Sequence, residues 1–182
     1  MREISTDVIE REVARLCENA GCDLPSDVKE IIHQGSEREE SPFGKYVFDQ
    51  ICQNIEPSES EHSPFCQDTG MALVFVDVGQ DVRIVGGSLK DAIDRGVAKG
   101  YTDGYLRKSV VEDPLFHRKN TDDNTPGFVR TRVVEGDKLT ISVMPKGAGS
   151  ENMCALKMLK PAQGIQGVID FVVGAVVSAG GN

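Results

Sequence analysis

The segment Ser63-Pro64-Phe65-Cys66-Gln67-Asp68-Thr69-Gly70 sets a thiol, an amide, a carboxylate and a hydroxyl in one short connector, and the hydrophobic run Met71 to Val78 follows at once. A run of that length and apolarity reads as a strand, so the polar residues are delivered to one end of a sheet. A second polar island, Lys146-Gly147-Ala148-Gly149-Ser150-Glu151-Asn152, lies far downstream. A small domain needs neither segment merely to fold. Together they suggest a reactive site whose scaffold lies between them.

The first 60 residues read as helices. Ile4, Val8, Val13, Leu16, Cys17 and Ala20 make an apolar stripe over residues 4–20, and Gly21 is placed to end it. Pro25 opens a second helix that Gly35 stops, and Ser36 to Ser41 follows as a charged loop. A third helix runs from Pro42 to Ile55, with Phe43, Val47, Phe48, Ile51 and Ile55 on its apolar face. Glu56 to Ser63 is a polar connector.

Beyond Val78, Gly79-Gln80 can turn the chain into a second strand, Asp81 to Val85. Ser88 can cap a helix with Leu89, Ala92, Ile93 and Val97 on its inner face, reaching Lys99 or resuming after Gly100. Asp122 to Gly127 is rich in turn residues. Phe128 to Val134 and Lys138 to Met144 read as a strand pair joined by Glu135-Gly136-Asp137. Asn152 to Lys160 can form a short helix. Gly164 to Ala179 can form another, with Ile165, Val168, Ile169, Val172, Val173 and Val176 as core candidates. This last segment is interrupted by Gln166, Gly167, Asp170 and Gly174, and reads as a buried helix rather than a membrane span. The order predicts an α+β or mixed α/β fold, a helical N-terminal segment followed by a mixed sheet with packed helices, in two lobes. Gly180-Gly181-Asn182 reads as a helix exit into a further loop, so a truncated subunit or excised domain is expected.

A net charge of −9 with no basic stripe argues against nucleic acid as a partner, although local arginines can still gather anions in a cleft. Five cysteines, without a signal-peptide pattern or a close CxxC pair, argue for a reduced, cytoplasmic setting over a disulfide framework.

Cys66 is the leading chemical candidate. A thiolate at a strand entry can be a nucleophile or a soft metal ligand, or it can be a small buried hydrophobe. His62 is its nearest histidine in sequence. Gln67 can orient an oxygen, and Asp68 can move a proton or bind a cation. The alternative for both is a polar turn that Thr69 supports. Arg107 can clamp a carboxylate, with Lys108 adding charge; Arg130 and Arg132 form a second candidate pair, equally consistent with an exposed strand face. Residues Lys146 to Asn152 can form an anion-binding nest, or a structural turn capped by Ser150. Cys17, Cys22, Cys52 and Cys154 fall in helical readings and are assigned to packing.

The ordered motifs PFCQDTG (64–70), GYTDGYLRKSV (100–110), DP (113–114), NTDDNTPGFV (120–129), EGDKLTISVMPKGAGSENM (135–153) and FVVGAVVSAGGN (171–182) carry a resemblance. Over almost the whole length, the chain resembles the N-terminal part of the α subunit of class I, iron–sulfur fumarate hydratases and their tartrate dehydratase relatives. The resemblance implies a [4Fe–4S] cluster held by three cysteines, with one iron open to substrate. Cys66 matches the first ligand; the other two are expected downstream of Asn182, so the ligand set in this chain is incomplete. It also implies pocket roles for Gln67 and Asp68, with Asp68 a proton donor or hydroxyl positioner. Arg107 is implied as a carboxylate contact and Gly149 as a backbone contact to substrate. Thr69, Lys146 and Asn152 support the site. A β subunit or fused C-terminal domain is expected to supply the principal base, and the α/β unit is expected to form a homo-oligomer. The implied reaction interconverts fumarate and (S)-malate, with tartrate or mesaconate chemistry as alternatives and the isolated fragment inactive. A non-enzymatic assembly module, or a hydrolase built on Cys66 and a histidine, are the readings from other classes.

Overall fold

Ser5 decides where the first helix begins. Its backbone is extended, and its hydroxyl accepts the Asp7 N–H at 3.2 Å, which caps the helix and leaves residues before it free to pair as a strand. The computed structural model describes residues 1–180, the side chains of Ser150 and Glu151 excepted. The final Gly181-Asn182 of the glycine motif and the capping role considered for Ser150 therefore lie outside the described residues. The fold is mixed α+β, and the chain divides into two units, Met1–Lys146 and Gly147–Asn182.

The first unit runs β1 (Arg2–Ser5), α1 (Thr6–Cys22), α2 (Ser26–Arg38), α3 (Pro42–Ser60), β2 (Met71–Gly79), β3 (Val82–Val85), α4 (Leu89–Asp103), β4 (Phe128–Val134) and β5 (Leu139–Lys146). Its core joins one face of α1 (Ile9, Val13, Cys17) to one face of α4 (Ala92, Ile93, Val97, Tyr101) and to alternate residues of β2 (Ala72, Val74, Val76). The spacings are four residues from Ile9 to Cys17 and from Ile93 to Tyr101, and two on the strand, the periods that put side chains on one face. A Cβ on Gly100 would stand 2.6 Å from the Ala14 carbonyl oxygen and 2.8 Å from Cys17 Cβ, so α1 and α4 meet nearly backbone to backbone.

Both expected strand pairs are corrected. The strand after Gly79-Gln80 does not fold back on β2. It pairs in parallel with β1, Arg2 opposite Val82 through Ser5 opposite Val85. The donors at the turn are engaged elsewhere: Gly79 N–H reaches the Lys138 carbonyl at 2.8 Å, Gln80 N–H the Val134 carbonyl at 2.9 Å, and Asp81 N–H the Gly136 carbonyl at 2.9 Å. Residues 128–134 and 139–146 are likewise not partners. β2 lies between them in the order β4-β2-β5, parallel to β4 and antiparallel to β5, so that Val74 faces both Val129 and Val143. The strand with the most continuous apolar run takes the centre of the sheet.

Two glycines read as stops are contacts instead. Gly21 lies inside α1, and Gly35 lies inside α2, where an added Cβ would meet the Phe48 ring at 2.9 Å. Residues 36–38 are therefore helical. α3 continues through Pro57 to Ser60, absorbing much of the predicted connector. Buried Ser58 anchors that extension, its Oγ lying 2.7 Å from both the Cys22 and Ser63 carbonyl oxygens and sharing one proton between them. α4 runs unbroken through Gly100 to Asp103, with Ser88 as the predicted cap on the Asp91 N–H.

In the second unit, the helix expected over Asn152–Lys160 is a single 3-10 turn, Ser150–Met153, followed by irregular chain. Pro161 opens another short turn and holds Lys160 extended, which blocks a helix from running through it. α5 (Gly164–Ala179) has the predicted bounds, but its expected core residues are 47–79% exposed and none of its residues is buried. By length and composition alone, Pro161–Ala179 is apolar enough to cross a membrane, a test that core helices of soluble proteins also pass.

Candidate functional site

The connector from α3 to β2 is pinned along most of its length. Asn54 Nδ2 donates to the Phe65 carbonyl at 2.7 Å, and Phe65 N–H donates to the Gly21 carbonyl at 2.9 Å. Cys66 and Gln67 then face solvent, Asp68 is half-buried, and Thr69 and Gly70 are buried. Gly70 has φ +59°, a left-handed turn that glycine adopts without a Cβ clash and that swings the chain into β2. The Asp68 N–H points at Cys66 Sγ, 3.4 Å away. The loop thus presents its thiol outward and one backbone donor toward the sulfur.

Three buried or half-buried contacts hold the loop from behind. Tyr101, on α4 and 1% exposed, donates its hydroxyl proton to the Thr69 carbonyl at 2.8 Å. Thr69 donates its own to the Arg107 carbonyl at 2.9 Å. Asn124 Nδ2 donates to the Gly70 carbonyl at 3.0 Å, while its Oδ1 accepts the Ser109 and Val110 N–H groups at 2.8 and 3.2 Å. Burial first, then the neighbouring Cys17 and Asp68, pushes the Tyr101 hydroxyl well above the ordinary phenol range, so it stays a neutral donor.

Arg107 leaves the end of α4 with its side chain exposed, and its backbone is tied to the thiol loop through Thr69. Lys146 closes the arrangement on the sheet side, since it pairs with Met71, the residue after Gly70. A cleft of about 130 Å³ opens here, lined by Gly21, Asp23, Phe65, Cys66, Asp68 and Pro145 among others. The structure therefore gathers Cys66, Gln67, Asp68, Thr69 and the backbones of Arg107 and Lys146 around one strand entry. Gly149 and Asn152 belong to the second unit, where Asn152 N–H donates to the Gly149 carbonyl at 3.4 Å and a Cβ on Gly149 would meet nothing within 4 Å.

Other candidates fall away. No hydrogen bond joins His62 to Cys66 among the described residues, which removes the support for a Cys/His nucleophile. Arg132 is forked onto Asp77, Nε to Oδ1 at 3.0 Å and Nη2 to Oδ2 at 2.7 Å, which holds the Asp77 carboxyl below its ordinary range. Of the two readings of Arg130 and Arg132, the structure favours the exposed strand face, with one arginine already engaged. Asp113 of the DP motif accepts N–H groups from Leu115, Phe116 and His117, and these lower its pKa, that of Phe116 most. It organises a turn.

Cys17 and Cys22 are buried as predicted. Burial, with a smaller contribution from Glu18, pushes the Cys17 thiol up to about 12. Cys52 is half-buried, 3.8 Å from His33 Nδ1, and Cys154 is exposed in irregular chain, so its assignment to packing is corrected. Among the described residues no three His, Cys, Asp or Glu side chains converge on a metal position. Cys66 offers a single exposed thiol to any metal centre, with the Asp68 N–H aimed at its sulfur.

Sequence reasoning missed Asn54, Tyr101 and Asn124. The only available signal for Asn124 was its place in the turn-rich island before Thr125-Pro126, a position that gives no hint of burial.

A family profile described as Fumarate hydratase (Fumerase) matches residues 10–182. A Methanocaldococcus jannaschii protein provisionally named L(+)-tartrate dehydratase subunit alpha is 36% identical over 93% of this chain and 61% of its own length. The L(+)-tartrate dehydratase subunit alpha of Escherichia coli UTI89 is 30% identical over 82% of this chain and 50% of its own, and that of strain K12 is 29% identical over the same shares. The chain thus spans about half to three-fifths of the length of these curated relatives.

Proposed function

The chain belongs to the fumarate hydratase (Fumerase) family, and from that premise we propose that it is part of the alpha subunit of a hydro-lyase. The substrate is a 2-hydroxy dicarboxylate that loses water to give an alkene, or the alkene taking water up. The observation that carries this reading is the lacing of the Cys66 loop to the Arg107 backbone, which supports a thiol and a guanidinium acting at one site.

The residues present fit one corner of an iron–sulfur cluster. Cys66 is an exposed thiol on a pinned loop, and an N–H aimed at the sulfur favours thiolate character in a bound ligand. When bound, the cluster supplies a Lewis-acidic iron at which the substrate hydroxyl is polarised. The remaining cluster ligands come from further chain or from a partner. Arg107 takes one substrate carboxylate in a two-bond fork. Asp68, half-buried beside Cys66, holds or returns the proton at the hydroxyl oxygen, and Gln67 orients a substrate oxygen through its amide. Thr69 keeps the loop in place, and Lys146 adds positive charge at the strand entry; for Gly149 and Asn152, in the second unit, the roles of backbone contact to substrate and of its support are carried by the family resemblance alone. A partner beta subunit or fused domain supplies the base that takes the carbon-bound proton, and the whole assembles as a homo-oligomer. The relatives' names include a subunit designation, which supports the two-part assembly.

Two substrates stand side by side. Fumarate and (S)-malate follow from the family description, and L(+)-tartrate follows from the names of the relatives. The test is turnover of both by the complete assembly, reconstituted anaerobically with iron and sulfide. Iron-dependent loss of water from malate or tartrate is the expected result, and the faster substrate names the enzyme. An assembly with a full cluster that turns over neither of these, nor mesaconate, refutes the reading.

A further inference from the structure

We infer that Asn124 is a positioning residue that sets the spacing between the Cys66 loop and the Arg107 segment. Its consequence for catalysis rests on the functional reading above; its geometry does not.

Asn124 is 0% exposed, yet it is a polar residue in a turn. Its side chain bridges two segments that are far apart in sequence. Nδ2 donates to the carbonyl of Gly70, the last residue of the thiol loop, at 3.0 Å. Oδ1 uses both lone pairs on the other segment, accepting Ser109 N–H at 2.8 Å and Val110 N–H at 3.2 Å, two and three residues beyond Arg107. The Thr69 hydroxyl on the Arg107 carbonyl makes a second rung of the same ladder. Asn54, Gly21 and Tyr101 hold the thiol loop to the helices; the Asn124 and Thr69 rungs join it to the Arg107 segment.

The position asks for asparagine on three counts. Its φ is +64°, the left-handed region in which asparagine is strongly favoured among residues with a side chain. It needs a donor and an acceptor on the same short side chain. It must also satisfy those groups internally, since no water reaches them. Glycine meets only the first demand. Aspartate keeps the acceptor and the backbone preference but sets an oxygen against the Gly70 carbonyl. Glutamine is one methylene too long and is disfavoured at this φ. The amide therefore behaves as a spacer of fixed length, and its two halves can be cut separately.

Amide hydrogen exchange and alkylation of Cys66 by iodoacetamide, both at one fixed pH on the full chain, read this without any substrate. Asn124→Ala removes both halves. It is expected to speed exchange at Ser109 and Val110 by about tenfold, the equivalent of one lost hydrogen bond, and to change the Cys66 alkylation rate, while the Val74 and Val76 amides of β2 stay protected. Asn124→Asp is expected to keep Ser109 and Val110 protected and to alter only the Cys66 rate. In the complete enzyme the same variants should raise KM for the dicarboxylate with iron content unchanged. Wild-type exchange and alkylation in both variants overturn the inference. So does exchange that rises equally across β2, which would make Asn124 a general stabiliser of the fold. Local effects as described, but no dicarboxylate turnover by wild type, would leave Asn124 a spacer and count only against the proposed reaction.

Discussion

The Thr69 hydroxyl donates to the backbone carbonyl of Arg107 at 2.9 Å, from a side chain that is itself buried. Thr69→Val keeps the shape and removes the donor, leaving the Arg107 carbonyl short of a partner. The expected cost is about 1–3 kcal/mol in denaturant unfolding. Because the bond joins the two halves of the site, dicarboxylate affinity should fall in the complete enzyme by more than the iron content does. Equal stability of Thr69→Val and wild type would show that water replaces the bond without penalty.

Alkaline pH should weaken the first unit through its buried acids. Burial raises the Cys17 thiol to about 12 from an ordinary 9.0, and it raises the Tyr101 hydroxyl as well. In both, folding favours the neutral form. The unfolded chain releases these protons first, so the stability is fully present below pH about 9 and is lost as pH rises toward 12. Each group contributes a slope of up to about 1.4 kcal/mol per pH unit inside its own window. Urea midpoints measured from pH 8 to 11 should therefore fall. Cys17→Ala should lower the starting stability through the lost packing and flatten the early part of the decline. A variant profile parallel to wild type would clear the thiol of any part in it.

Gly100→Ala sets two magnitudes against each other. Alanine favours a helix over glycine by about 1 kcal/mol. Here its Cβ would stand 2.6 Å from the Ala14 carbonyl oxygen and 2.8 Å from Cys17 Cβ, and a backbone oxygen cannot turn aside as a flexible side chain can. Overpacking of this kind costs about 1–3 kcal/mol, so the net expectation is destabilisation with the α1–α4 contact loosened. Thermal unfolding of the purified chain checks it, and a raised Tm would mean that α1 yields more readily than its burial suggests.

What the sequence revealed and what it hid divide along the range of the interactions. The Ser88 cap, the bounds of α5 and the run of β2 depend on neighbours a few residues away, and periodicity finds them. The placement of β2 between β4 and β5 depends on partners more than 50 residues distant, and the Glu135-Gly136-Asp137 connector looks from its sequence like an ordinary hairpin turn. Gly21 and Gly35 misled for a related reason. A glycine that ends a helix and one that admits a neighbouring side chain have the same letter, and only Leu106 and Phe48, packed against them, tell the two apart. At the site, Cys66, Asp68 and Arg107 were legible because chemistry marks them. Tyr101 and Asn124 were not, because their work lies in hydrogen bonds to backbone groups that no pattern announces.

Cys66→Ser separates ligand from scaffold. The side chain is exposed, and its sulfur accepts the Asp68 N–H at 3.4 Å, so replacing sulfur by oxygen disturbs little packing. The surrounding loop is held by Asn54, Tyr101, Thr69 and Asn124, whose donated hydrogen bonds go to backbone carbonyls and not to the sulfur. Stability should therefore stay within about 0.5 kcal/mol of wild type, as for surface changes generally. A serine hydroxyl is a far poorer ligand for iron than a cysteine sulfur. The complete assembly carrying Cys66→Ser is expected to lose most of its iron and sulfide after anaerobic reconstitution, and with them its turnover. The decisive comparison measures unfolding of the chain beside iron content of the assembly. Unchanged stability with lost iron assigns Cys66 to the cluster, whereas unchanged iron removes it from the ligand set and returns the thiol to the surface of an ordinary loop.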